Sequence, residues 1–172
     1  MKNKLVCLLT IILFQSGNYK LAAQEEKFIG LFIYNFTRYF DWPESNKTGD
    51  FIVEVLGHES VYHELVKLTT GKKVGNQNFV IKNFSSTDGM GKCSIVFVGH
   101  WHSRFLPDVL NKISDGPTLV ITEFDGLLQK GSCINFVIQE GSIKFEMNST
   151  NVQKRQLKTD PRIRELALRV VD

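Results

Sequence analysis

The sequence predicts a layered α/β domain: a mixed sheet of about five or six strands with a C-terminal antiparallel hairpin, flanked by helices. Three observations predict it. Phe28, Leu31, Phe32, Phe36, Tyr39 and Phe40 recur at three- and four-residue steps and form one apolar helical stripe. Ser94 to Gly99 and Thr118 to Thr122 are near-continuous apolar runs, the mark of strands covered on both faces. Alternating runs meet at Glu140-Gly141, a two-residue turn with glycine that signals a hairpin.

Residues 1 to 23 read as a signal peptide, cleaved after Ala23. Lys2 and Lys4 give the positive start, and Leu5 to Phe14 is an apolar stretch too short for a comfortable membrane span. Cys7 lies inside that stretch, away from the cleavage point, which argues against a lipid anchor. The remainder, 24 to 172, is expected to fold as one domain outside the cytoplasm with no membrane insertion. Three of the 21 basic residues, Lys2, Lys4 and Lys20, precede residue 24, leaving 18 against 18 acidic ones. This balance argues against nucleic acid or an anionic membrane as a main partner.

The first helix is expected from about 25 to 41, stopped by Trp42-Pro43 because a residue before proline leaves the helical region. A polar loop leads to a strand at 51 to 57. Ser60 is placed as cap of a helix reaching 69, with Gly71 closing it. A second strand is expected at 78 to 84, then a loop, then the strand at 94 to 99. Ser103 is placed as cap of a helix over 104 to 113, and Asp115-Gly116-Pro117 as a turn before the strand at 118 to 122. The hairpin strands are set at 133 to 139 and 142 to 148. Two helical pieces follow, near 149 to 156 and 161 to 170. Asp160 is read as cap of the last, Pro161 as its first turn, and Ile163, Leu166, Ala167 and Val170 as its packing face.

Cys93 and Cys133 lie in a compartment that permits disulfides. They are candidates for one intramolecular bridge; the other reading is two thiols buried separately at strand starts. No Cys-x-x-Cys, His-Glu-x-x-His, Gly-x-Ser-x-Gly or phosphate-binding glycine motif occurs, so neither a metal, a cofactor nor a catalytic set is expected.

The aromatics of the first helix exceed what one small interior takes up. Tyr34, Tyr39 and Trp42 are therefore read as partner-binding residues, with Arg38 and Asp41 orienting the contact at its rim. Homodimerisation would use the same surplus. The rival reading is a small-ligand module with its pocket at the strand ends, where His100, Trp101 and Glu123 would line it beside Gly57 and Gly99.

The order of motifs resembles the YfiR family of small periplasmic proteins. An early helix runs into Tyr34-Asn35-Phe36-Thr37-Arg38-Tyr39-Phe40-Asp41-Trp42-Pro43, and a strand ends in Gly57. Cys93 leads into Ser94-Ile95-Val96-Phe97-Val98. A helix and a short Pro-led strand, Pro117 to Thr122, lead to the hairpin strand Ile143-Lys144-Phe145-Glu146-Met147-Asn148. The likeness spans the whole chain after the signal. Lys158 to Arg164 departs from the family's usual start to its last helix, and two cysteines replace two disulfides. The resemblance implies a regulator without catalysis, which holds the periplasmic domain of an inner-membrane signalling protein inactive. That protein is a diguanylate cyclase, or in related systems a sensor kinase. An outer-membrane-associated protein sequesters family members.

Overall fold

A computed structural model describes residues 24–172. The expected signal peptide lies outside the described residues. The chain opens with α1 over 24–36 and continues through β1 (Phe40–Asp41), β2 (Phe51–Leu56), α2 (Glu59–Thr69), β3 (Lys73–Val74) and β4 (Gln77–Phe84). It proceeds through β5 (Ile95–Val98), α3 (Leu106–Ile113), β6 (Leu119–Thr122), β7 (Ile134–Gln139) and β8 (Ser142–Asn148). It closes with α4 (Ser149–Lys154), β9 (Lys158–Thr159), α5 (Arg162–Leu166) and β10 (Arg169–Val171).

The layered α/β class holds, with a larger sheet than expected. Eight strands lie in the order β10-β8-β7-β6-β5-β2-β4-β3, and β1 and β9 form a separate antiparallel pair. Strands β4, β2, β5, β6 and β7 run parallel; the β7–β8 hairpin is antiparallel, from Ile134 opposite Met147 to Gln139 opposite Ser142. The chain lays β2 down first, steps outward to β4, then crosses back to β5 and continues to β6 and β7. Its direction of winding therefore reverses between β2 and β5. Right-handed crossovers on either side of that reversal put α2 and α3 on opposite faces.

Side-chain alternation sorts the two faces. Phe51, Val53 and Val55 share a face with Phe97, Phe136 and Phe145, as the pairing registers require. Helix α1 docks there: Phe36 meets Phe145 edge-on at 5.2 Å and stacks on Phe136 at 6.1 Å. Gly30 lets α2 approach closely, since a Cβ there would stand 3.2 Å from Glu64 Cβ. Glu54 points to the other face, beneath the 85–93 loop, where Gly91 N–H donates to its carboxylate at 3.3 Å.

Three expectations need correction. Helix α1 ends at 36, because Thr37, Arg38 and Tyr39 close i→i−3 turns onto Tyr34, Asn35 and Phe36. Phe40–Asp41 then pairs with Lys158–Thr159; Pro43 plays no part in the stop. The last helix ends at Leu166. Ala167 is extended, Leu168 N–H donates to Phe145 O at 2.8 Å, and Arg169–Val171 joins the sheet parallel to β8. Ser60 and Ser103 cap nothing; His58 and Phe105 occupy those N-cap positions without side-chain bonds. Asp160 does act at the last helix, its carboxylate accepting from Arg162 N–H at 2.9 Å.

Cys93 and Cys133 are both free and buried. Cys133 precedes β7 and Cys93 precedes β5, two strands apart and offset along them by the registers through β6. Two strand spacings alone are about 9.6 Å, beyond the reach of a disulfide, whose Cα atoms stand within about 7 Å. The candidate bridge is therefore replaced by two separate thiols. Burial pushes both up, Cys133 to about 11.

Candidate functional site

The reversal between β2 and β5 opens a crevice at their C-terminal ends, the place where open α/β sheets bind ligands. Gly57 leaves β2 with φ +71, and its N–H donates to Phe84 O at 2.8 Å. The His102 ring fills the space where a Cβ on Gly57 would project, and a Cβ on Gly99 would press on Gly57 O at 2.9 Å. The two glycines thus let the ends of β2 and β5 and the following turn close on one another. A cavity of about 590 Å³ lies over this point.

Three strand ends deliver polar groups to it. His58 follows β2, His100 follows β5 and Glu123 follows β6. The Glu123 carboxylate accepts His100 N–H at 2.6 Å and lies 3.6 Å from His58 Nε2. Burial raises the Glu123 carboxyl above its ordinary range, while His58 pulls it back and Glu26 on α1 pushes it further up. Behind it, the Thr122 hydroxyl donates to Asn135 Oδ1 at 2.7 Å, and the same oxygen accepts from Phe124 N–H at 3.2 Å. This buried pair fixes the direction in which β6 ends. Trp101 stands at the rim, 82 % exposed, with its ring 4.9 Å from that of His100. Ile29, Phe136, Ile138 and Ile143 supply an apolar wall.

The structure thus gathers the neighbours His100 and Trp101 with Glu123, from the end of the next strand, around one cavity. Sequence reasoning missed Glu25, Glu26 and Ile29, which come from α1, and the wall from the hairpin. No local motif marks them; the signal is the strand order. Among the described residues, no group of three or more His, Cys, Asp or Glu side chains is placed to hold a metal ion.

The residues expected to meet a partner lie elsewhere, along and after α1. Trp42 is a correction: it is 5 % exposed, donates Nε1–H to Ser94 O at 3.1 Å and meets Phe51 edge-on at 4.9 Å. The Trp-Pro segment must pass under β2 to reach it, so this ring belongs to the core. Tyr34 is half-buried against Phe79, with Lys72 Nζ 4.5 Å and the Arg38 guanidinium 5.4 Å from its ring centre. Tyr39 is half-buried beneath Arg162. Arg38 and Asp41 are exposed, and Asp41 pairs with Lys47 at 2.9 Å.

The fully inward line of α1 is Ile29, Ile33 and Phe36, with Phe32 half-buried beside it against Phe136 and Phe145. The helix is turned so that Phe28 and Leu31 face out, 44 % and 39 % exposed. Asn35 and Arg38 continue that outer line at three- and four-residue steps.

The model of one protein family, described as YfiR/HmsC-like, matches residues 27–168. No curated protein matches the chain.

Proposed function

The chain belongs to the YfiR/HmsC-like family, and from that premise we propose that it represses an inner-membrane signalling enzyme by binding that enzyme's periplasmic domain. Family membership supports, in general terms, a periplasmic regulator of cyclic-di-GMP signalling that works by protein contact and not by catalysis. No described helix is long and apolar enough to cross a membrane.

The observation that carries the reading is the outer line of α1. Its inner line is sealed against the sheet, yet Phe28 and Leu31 remain open to solvent. Large apolar side chains in line, bordered by Tyr34 and by the charges of Arg38 and Asp41, have the makeup of a binding patch with a polar rim. Tyr39 flanks it. An outer-membrane-associated protein that occupied the same line would release the enzyme. Pairing of two copies through it is the competing use, which sedimentation of the purified protein distinguishes.

The test is a photo-crosslinking side chain placed at Leu31 and, as control, at the exposed Lys112 on α3. The reading expects position 31 alone to capture an inner-membrane protein carrying a cyclase or kinase domain. Equal capture from both positions, or none from either, refutes it.

A further inference from the structure

The crevice over the β2–β5 reversal takes no part in that reading, and its chemistry is one-sided. Glu25, Glu26, Glu59, Glu123 and Asp125 reach it, and no lysine or arginine lines it. Residues 24 to 172 carry 18 basic against 18 acidic residues, so this crevice departs from the balance around it. Among the described residues, Glu59 pairs with His63 at 3.6 Å and Glu123 faces His58; Glu25, Glu26 and Asp125 have no cationic side chain in an ion pair with them.

The other wall is apolar. Ile29, Phe136, Ile138 and Ile143 form it, and Ile138 is 62 % exposed although it lies on the face that buries Phe136. Trp101 projects beside it, largely free of contact. The volume suits one small molecule. An anion would meet five carboxylates with only the imidazoles of His58 and His100 to offset them. A neutral ligand would leave Glu25, Glu26 and Asp125 without a cation facing them. A cation with an apolar body matches both walls: its charge answers Glu123 and Glu26, and an indole face at the mouth attracts cations.

We propose that this crevice binds a small organic cation, an ammonium group on an aromatic or aliphatic body. The ammonium sits between Glu123 and Glu26, and the body lies over Phe136, Ile138 and Ile143. Trp101 folds against it from the rim. Glu26 and Ile29 lie on α1, the helix whose outer line carries the partner patch, so occupancy of the crevice is a route by which a chemical signal reaches that helix. The binding claim itself does not rest on repression, because it is read on the purified protein alone.

The test compares three probes with one phenyl body and different charge: phenethylammonium, 2-phenylethanol and 3-phenylpropionate. Calorimetry on the protein purified as exported measures affinity at neutral pH. Intrinsic fluorescence follows Trp101, since the second tryptophan, Trp42, is buried. The expected result is phenethylammonium bound about tenfold or more tighter than the alcohol, as a charge-assisted bond to a carboxylate implies, and the propionate weakest. Glu123→Gln should weaken the cation about tenfold and leave the alcohol unchanged. Trp101→Phe should abolish the fluorescence change and retain calorimetric binding. Glu26→Gln, half-buried near the start of α1, serves as the second variant if Glu123→Gln melts early; it should weaken the cation selectively. Equal affinity across the three probes, tighter binding of the propionate, no heat with phenethylammonium at millimolar concentration, or a cation affinity untouched in a folded carboxamide variant would each overturn the proposal.

Discussion

Replacing Phe36 by alanine tests how α1 is held. The Phe36 ring is sealed from solvent and meets four others: Phe145 at 5.2 Å, Phe40 at 5.9 Å, Phe136 at 6.1 Å and Phe32 at 6.2 Å. Truncation removes the ring and leaves a cavity between a helix and two paired strands. The strands cannot collapse into it without breaking the β7–β8 ladder. Phe→Ala changes in such places cost about 3–5 kcal/mol, and the rigid sheet puts the expected loss near 4. A domain of this size carries roughly 5–15 kcal/mol in total. At about 2–4 °C per kcal/mol, the midpoint of thermal unfolding should fall by about 8–16 °C. Phe28→Ala, one face away, should change stability by less than about 0.5 kcal/mol. Urea titration followed by circular dichroism reads both. A loss under about 1 kcal/mol for Phe36→Ala, or equal losses for the two variants, would show that α1 is not docked by its inner line.

Glu54→Gln should stabilise the protein at neutral pH. Burial raises the Glu54 carboxyl in the fold, with Gly91 N–H and Lys82 only partly offsetting it. Ionisation therefore opposes folding above the folded value and has no effect below the unfolded one; the gain should vanish near pH 4 in paired urea titrations. Gly57→Ala should cost about 1–3 kcal/mol, because the position needs positive φ and the added methyl strikes the His102 ring. The same variant should alter Trp101 fluorescence while leaving the Trp42 environment intact. Mass spectrometry of the native, non-reduced protein should find Cys93 and Cys133 unlinked, and both should react with a thiol reagent only after unfolding.

Much of the fold is legible in the chain because its signals are local. The runs at Ile95–Val98 and Leu119–Thr122 carry their double burial in composition, and the hairpin carries its turn at Glu140-Gly141. What escapes is tertiary. Phe40–Asp41 and Lys158–Thr159 are strands only because they meet each other, and Arg169–Val171 only because β8 offers a free edge. The phase of α1 is misjudged for a similar reason. Phe28, Leu31 and Phe32 outweigh Ile29 and Ile33 in any hydrophobic count, yet the isoleucines at i and i+4, followed by Phe36, are the line that faces the sheet. Gly30 decides it, since it lets α2 close on one flank. Trp42 reads as surplus aromatic area until its indole N–H is seen to need Ser94 O. At the crevice, His100, Trp101 and Glu123 follow strand ends that the sequence marks, while Glu26 and Phe136 arrive by topology alone.

The proposed role of the outer line of α1, restraint of a signalling enzyme, is open to direct test. Cellular cyclic-di-GMP, measured in a strain lacking this protein, should rise. The wild-type chain should restore it, and a chain carrying Phe28→Glu with Leu31→Glu, exported and melting as wild type, should not. Full restoration by that double variant, or an unchanged level when the protein is missing, would contradict it.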